Sequence, residues 1–183
     1  MNKKITFVVL FFLSFLNVQA DNFTSLLYTS TYTSINQKDC VTLDSDNMGS
    51  IQECESFVDI GVKVIEGDIR QSIVLTRHGE EYDLAFWSTV GSAFSSLGLK
   101  IEWRHELQQP KNVIGMIVRF EANDDYENIG KSSSYLLVSK ITNEEMCVVA
   151  KVAPQERQNE MARKILDSKD ELPCLRSIKK SEK

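Results

Sequence analysis

Short apolar stretches, each ended by turn-forming residues, run through most of this 183-residue chain. In residues 99–104 apolar and polar side chains alternate, which is the period of a half-buried β-strand. Residues 113–120 are apolar almost throughout and indicate a strand in the centre of a sheet. The succession of such segments predicts strands joined by tight turns in a mainly antiparallel sheet of about six to eight strands.

The pattern changes near the C-terminus. Residues 155–168 are good helix formers, and Met161, Ala162, Ile165 and Leu166 fall on one stripe of a helix. An apolar stripe of this width packs one face of a helix against another element. The sequence therefore predicts an α+β fold, in which one C-terminal helix covers a mainly antiparallel β-sheet.

The N-terminus has the three parts of a secretory signal. Lys3 and Lys4 precede an apolar run over Ile5–Val18, and Ala20 ends a cleavage site. The apolar run is shorter than the roughly 20 residues that a membrane-spanning helix needs. We therefore expect residues 1–20 to be a signal peptide, cleaved from a periplasmic or secreted protein with no stable membrane span; retention as an uncleaved anchor is the alternative.

All four cysteines lie in the part expected to be exported: Cys40, Cys54, Cys147 and Cys174. An even number of cysteines in an exported chain indicates disulfides. Proximity in sequence favours the pairs Cys40–Cys54 and Cys147–Cys174 among the three possible pairings. A zinc site is the alternative, but the chain has no C-x-x-C motif and no histidine near a cysteine in sequence.

The organisation of the chain suits one domain. Residues 34–176 are expected to form a single β-rich domain, after a loosely ordered Ser/Thr-rich segment at 21–33 and before a basic tail at 177–183. The chain has 21 basic and 26 acidic residues, and loss of the signal with its two lysines changes the net charge from −5 to −7. This charge opposes binding to phosphate backbones, so we expect no nucleic-acid partner.

Motifs for catalysis or cofactor binding are weak. Neither His78 nor His105 accompanies a nucleophile motif, and both are expected at the surface or in a loop. The segment Asp44–Glu55 matches a calcium loop at several positions, but Met48 stands where an oxygen ligand is needed, so we expect a plain hairpin turn. The sequence thus gives no catalytic residue, no metal ligand and no cofactor site, and an enzymatic activity is open but not favoured.

Two stretches have a more specific sequence, E-G-D-I-R-Q-S at 66–72 and E-W-R at 102–104. Taken in order with the cysteines and with L-V-S-K-I at 137–141, they resemble a family of uncharacterised exported proteins of Gram-negative bacteria. The resemblance covers residues 32–174 and implies export and the extent of the domain. It implies no activity, and the chain departs from the family in the Ser/Thr-rich segment that precedes Tyr32.

The same two stretches supply a candidate polar site. Its residues are Glu66, Asp68, Arg70, Gln71, Glu102 and Arg104. On neighbouring strands, side chains of these types form charge-assisted hydrogen bonds. Two interpretations are open: a salt-bridge cluster that fixes the register of the strands, or a binding site for a polar ligand.

We expect this protein to act at the cell envelope as a non-catalytic domain that binds a partner protein or a small ligand. One alternative is an inhibitor of an extracellular hydrolase, which a rigid protruding loop, such as residues 83–96, would favour. Another is a carboxylate-dependent envelope hydrolase. It would require Glu66, Asp68 or Glu102 to face one another across a cleft.

Overall fold

The computed structural model describes residues 27–125, 127–128, 130–168 and 170–176. The expected signal, residues 21–26 and the basic tail lie outside this part of the chain. The strands are β1 (Tyr28–Ser34), β2 (Val41–Ser45), β3 (Gly49–Phe57), β4 (Ile60–Gly67), β5 (Arg70–Arg77), β6 (Glu80–Asp83), β7 (Ser95–Glu106), β8 (Val113–Ala122), β9 (Ser133–Ile141) and β10 (Met146–Val152). The α-helices are α1 (Phe86–Thr89) and α2 (Gln158–Asp167), and a 3₁₀ turn lies at Gln37–Asp39.

The ten strands of the described residues belong to one sheet with the order β10-β9-β8-β7-β5-β4-β3-β2. Outside this path, β1 pairs with β7 and β6 pairs with β5. Neighbouring strands are antiparallel except β5 and β7, which run parallel and pair through Arg70 and Ser95. Further along β7, residues 100–106 pair with β1 instead. The sheet therefore divides into two halves, β2–β6 on one side and β7–β10 with β1 on the other.

The two halves of the sheet contribute to one apolar core. Val62 and Leu75 from the β2–β6 half belong to the same buried cluster as Trp103 from β7. The Trp103 ring stacks on Phe57 with 5.4 Å between the ring centroids. Its Nε1 donates a hydrogen bond of 2.8 Å to Oγ1 of Thr33, which satisfies the polar end of a fully buried indole.

A second apolar layer lies between helix α2 and the β7–β10 half. Ala162 and Leu166 of the helix pack against Ile117 of β8 and Val138 of β9. Both faces of β8 are therefore covered, which explains the nearly continuous apolar sequence of residues 113–120. The position of this strand between β7 and β9 confirms the predicted central strand.

Helix α2 approaches β8 very closely at Gly115. A Cβ atom at this position would lie 2.5 Å from Cδ2 of Leu166 and 2.6 Å from the carbonyl oxygen of Ser139, so only glycine fits. The sequence predicts the helix over residues 155–168, but it begins later because Arg157 has a left-handed backbone with φ of 58°. No helix of the described residues has the length and apolarity needed to cross a membrane.

Both expected disulfides are present. Cys40, after the 3₁₀ turn, is bonded to Cys54 of β3, with 4.3 Å between the Cα atoms. Cys147 of β10 is bonded to Cys174 in the segment after α2, with 5.7 Å between the Cα atoms. The mainly antiparallel sheet, the C-terminal helix and the two bonds confirm the predicted disulfide-stapled α+β fold. Structural disulfides of this kind fit a non-cytoplasmic protein.

The expectation of loose order at residues 21–33 is wrong for the part that the structure describes. Tyr28–Ser34 forms β1 and pairs with β7 along its whole length. Threonine and tyrosine favour strands, but β1 needs a partner that lies about 70 residues further along the chain. The same strand covers His105, which is buried rather than exposed as expected, and its Nε2 lies 2.9 Å from Oγ1 of Thr31.

Candidate functional site

The structure divides the candidate polar residues between two places in the fold. Glu66, Asp68, Arg70 and Gln71 lie around the β4–β5 turn, whereas Glu102 and Arg104 lie on β7 near helix α2. Ser95 of β7 pairs with Arg70, so the position of Ser95 on β7 gives the position of the first group. The partners of Ser95 and Glu102 on β8 are residues 122 and 117, and this spacing corresponds to about 17 Å along a strand. The six residues therefore do not form one site.

Arg70 holds the β4–β5 turn against the segment before β7. Its guanidinium forms an ion pair of 2.5 Å with Asp68, and its Nε donates to the carbonyl oxygen of Ser92 at 2.7 Å. The same guanidinium lies 4.9 Å from the ring centroid of Phe94. These contacts support the structural interpretation for Asp68 and Arg70, because the ion pair lies within the turn and the contacts with Ser92 and Phe94 join that turn to a second loop.

Gln71 spans the point where β5 and β7 separate. Its Oε1 accepts a hydrogen bond of 2.7 Å from the backbone amide of Leu97, and this side-chain oxygen takes the place of a backbone acceptor on β5. Its Nε2 donates to Oε2 of Glu66 at 2.8 Å. Because both ends of the Gln71 amide are engaged, the amide cannot flip, and it fixes the position of the Glu66 carboxylate.

A cleft of about 270 Å³ lies beside this pair, between the two halves of the sheet. Its walls include Gln52 of β3, Glu66 and Gln71 on one side, and Leu97 and Leu99 of β7 on the other. Gln52 belongs to no motif in the sequence. A signal for it exists nonetheless, since Gln52 has the inward position of a strand whose alternate residue, Cys54, is also buried.

Glu102 lies in a second network, which joins β1, β7 and helix α2. Its Oε1 accepts hydrogen bonds from Nε of Arg163 at 2.5 Å and from the hydroxyl of Ser30 at 2.6 Å. Arg163 also donates to the hydroxyl of Tyr32 at 3.1 Å. Burial raises the pKa of the Glu102 carboxyl, but the hydrogen bonds from Arg163 and Ser30 outweigh burial and hold it below its ordinary value of 4.5.

The lowered pKa of Glu102 predicts a stability that depends on pH. The folded pKa lies below 4.5, so the carboxylate stabilises the fold fully above that pH, and the effect is lost as the pH falls through the folded value. We therefore expect the difference in Tm between the wild type and Glu102→Gln to shrink between pH 7 and pH 3. Thermal unfolding followed by circular dichroism measures it, and a difference in Tm that stays constant over this range contradicts the prediction.

Arg104 forms the buried part of the same network. Its Nε and Nη2 donate to the two carboxylate oxygens of Asp167, at 2.7 and 2.5 Å, and both residues are buried. Its Nη1 donates to the hydroxyl of Ser30 at 3.2 Å. Arg163, Asp167 and Ser30 were not identified from the sequence, since they lie more than 60 residues from their partners on β7. The network ties the helix to the sheet and supports the structural interpretation for Glu102 and Arg104.

Three exposed apolar side chains gather at one end of the β2–β6 half. Met48 is 66% exposed, Ile69 is 65% exposed and Phe94 is 46% exposed. Their loops are bonded together, since the amide of Asp68 donates to the carbonyl of Met48 at 2.9 Å and the amide of Ser95 donates to the carbonyl of Ile69 at 3.0 Å. We call Met48, Ile69 and Phe94 the tip cluster.

The carboxylates that a hydrolase would need do not oppose one another. Glu66 lines the cleft, Asp68 is paired with Arg70 at the turn, and Glu102 belongs to the network under helix α2. Hydrolysis by two carboxyl groups requires both of them on one substrate. These three residues therefore give no geometric support to the hydrolase alternative.

The segment at residues 83–96 is anchored to the core and does not protrude as an inhibitor loop would. Leu84 and Phe86 are fully buried, and Phe86 packs edge-on against Phe120 with 6.0 Å between centroids. Only its end, at Phe94, presents a large exposed apolar side chain. Residues 83–96 therefore give no support to the inhibitor alternative.

The candidate calcium loop is a hairpin. Residues 44–55 contribute to β2, β3 and the turn between them, as expected. Oδ1 of Asp46 accepts hydrogen bonds from the amides of Met48 and Gly49, at 2.7 and 2.9 Å, so this carboxylate holds the turn. In another part of the chain, Glu145 lies close to Cys147 and Cys174, but those two cysteines are bonded to each other and offer no thiolate to a metal.

No protein-family model matches the chain, no curated protein matches it, and no solved structure matches its fold.

Proposed function

We propose that this chain is an exported, non-catalytic protein of the cell envelope, which binds a partner protein through the tip cluster. The observation that carries this proposal is the conformation of Ile69. Asp68 and Ile69 form the two-residue turn between β4 and β5, with φ of 49° and 57°. A β-branched residue with positive φ is an outlier, and Ile69 is also largely exposed. Ile69 therefore presents an apolar side chain from a strained position, and the exposed neighbours Met48 and Phe94 distinguish it from Val58, which has a similar conformation in the β3–β4 turn.

The sequence that would be most stable at this turn is known. Two-residue hairpin turns with positive φ at both positions prefer Asn-Gly or Asp-Gly. The chain already has Asp at the first position, and isoleucine stands where glycine would remove the strain. A departure from the most stable sequence is typical of a residue kept for function.

The charge around the tip cluster indicates the kind of partner. Asp46 and Asp68 are exposed on the adjoining turns, Asp44 is exposed near the end of β2, and Asp68 is paired with Arg70. An apolar centre with an acidic surround is complementary to a shallow apolar socket edged with lysine or arginine. The expected export signal, the two disulfides and the negative charge of the chain are consistent with a partner in the periplasm or outside the cell.

Replacement of Ile69 by glycine tests the proposal. We expect Ile69→Gly to raise the free energy of unfolding by about 1 kcal/mol, because the left-handed conformation costs an L-residue about 1–2 kcal/mol. The same change removes a central side chain of the interface and should weaken partner binding at least tenfold. Urea unfolding measures the first effect. Capture from an envelope extract of the source organism, followed by titration of the captured protein, measures the second.

Val58 provides a matched control. It is also β-branched, has φ of 59° and is 46% exposed, but it lies in the β3–β4 turn, at the opposite end of β4 from Ile69. Val58→Gly should relieve a similar strain and leave partner binding unchanged. Equal binding by the wild type and Ile69→Gly, or an equal loss in Val58→Gly, would overturn the proposal.

A further inference from the structure

The inner face of the β2–β6 half changes from apolar to polar as it reaches the cleft. Along β4 the inward side chains are Val62, Val64 and then Glu66. On β5, Gln71 pairs with Glu66. One pair deeper along the same two strands, Ile73 pairs with Val64. The interior of the sheet therefore opens into a polar mouth at the end where β5 and β7 separate.

Gln52 is the unusual member of this mouth. It is 4% exposed, and its Oε1 accepts a hydrogen bond of 3.0 Å from the hydroxyl of Thr42. Its Nε2 is buried and has no hydrogen-bond partner among the described residues. A buried amide donor without a partner keeps the cost of its lost hydration, which nothing offsets. Such a group in the wall of a cleft points to a ligand that accepts the missing hydrogen bond.

Glu66 is the second polar group of the mouth, and it is held in place before any ligand arrives. Gln71 donates to one of its oxygens and is itself fixed by the amide of Leu97. An ionised carboxylate only accepts hydrogen bonds, so a ligand must bring a donor to it. All of the residues that line the cleft belong to the described part of the chain, and among them Glu66 is the charged one, with no lysine or arginine beside it.

We propose that this cleft binds a small ligand that carries a protonated primary amine beside a neutral hydrogen-bond acceptor, such as an amino sugar. The amine pairs with the Glu66 carboxylate, and the neutral acceptor takes the hydrogen bond from Gln52. Anionic groups are excluded, because no cationic side chain of the lining offsets Glu66. The volume of about 270 Å³ is just below the usual range for drug-sized ligands and suits a single small ring.

The test uses glucosamine as the probe and glucose as its neutral counterpart. Glucosamine is titrated into the ¹⁵N-labelled, disulfide-bonded protein, and NMR follows the side-chain amides of Gln52 and Gln71 and the backbone amide of Leu97. We expect saturable shifts at these groups with glucosamine and binding at least tenfold weaker with glucose. No saturable shift up to 20 mM glucosamine, or equal shifts with glucose, overturns the proposal.

Variants separate the two polar groups from general effects on the fold. Glu66→Gln should weaken glucosamine binding at least tenfold. Because the amine then has no carboxylate to pair with, glucosamine and glucose should bind this variant with similar affinity. Gln52→Leu removes the buried donor and should weaken both sugars. Glu53→Gln is the control, since Glu53 is exposed on the opposite face of β3. A loss of binding in Glu53→Gln equal to that in Glu66→Gln overturns the site.

Discussion

Replacement of Asp167 by alanine is expected to destabilise this protein by about 3–5 kcal/mol, a large part of the stability of a domain of this size. The change leaves the guanidinium of Arg104 buried between β7 and helix α2 with the Ser30 hydroxyl as its remaining partner. A buried charge that loses its counter-charge keeps the cost of desolvation and loses the attraction that offset it. Equilibrium unfolding in urea measures the loss.

A double variant shows whether charge or packing is responsible. Arg104→Met with Asp167→Leu removes both charges and keeps apolar volume, so its free energy of unfolding should lie within about 1 kcal/mol of the wild type. A loss of less than about 1 kcal/mol in Asp167→Ala alone would show that the pair is not buried as the structure has it. A double variant as unstable as the single one would assign the effect to packing instead.

Loss of the Cys147–Cys174 disulfide is the second large effect. The bond closes a loop with a sequence separation of 27 residues, and its removal by serine at both positions should cost about 3–4 kcal/mol in the chain-entropy model. It also ties down the end of the described chain, where the amide of Leu175 donates to the carbonyl of Val148 at 2.8 Å. Urea unfolding measures the cost, and hydrogen exchange at the Leu175 amide should become much faster.

The other disulfide serves as the comparison. Cys40–Cys54 closes a loop with a separation of 14 residues, so the same replacement there should cost about 3 kcal/mol without any change in exchange at Leu175. Equal protection of the Leu175 amide in both variants would contradict the local role of the C-terminal bond.

Local patterns predict much of this fold because most strands pair with their neighbours in sequence. β3, β4 and β5 are joined by turns of two residues, and their segments alternate or are bounded by turn formers. The turn at residues 68–69 is an exception, since it includes an isoleucine, a residue typical of strands. Nothing in an isoleucine indicates positive φ, so only the tertiary structure reveals that position.

Contacts between distant parts of the chain account for what the sequence does not predict. His105 has the sequence of an exposed strand end, and its burial follows from β1, whose pairing partner lies far away. Glu102 and Arg104 are identified as interacting residues, but their partners Arg163 and Asp167 lie on a helix some 60 residues later. A helix stripe predicts which face is apolar and does not specify which charged residues at its border meet the sheet.

Motifs in the sequence indicate only part of the candidate site. Glu66 and Gln71 belong to the stretch selected for its specific sequence, and the structure does place them together in a cleft. Gln52 is not apparent from the sequence, because a single glutamine in a strand carries no signal until the direction of its side chain is known. All three are polar residues at inward positions of their strands, Gln52 on β3, Glu66 on β4 and Gln71 on β5.

The pairing of β1 with β7 also affects the order in which this protein folds. The hairpins from β2 to β6 join neighbours in sequence, whereas Ser30 and Glu102 meet across 72 residues, a closure that carries a larger entropic cost. β1 is therefore synthesised early and paired late. Its sequence, Y-T-S-T-Y-T-S, is dominated by hydroxyl side chains, so a strand that waits unpaired exposes little apolar surface to other chains. The Ser/Thr-rich composition of this segment thereby limits aggregation before β7 arrives.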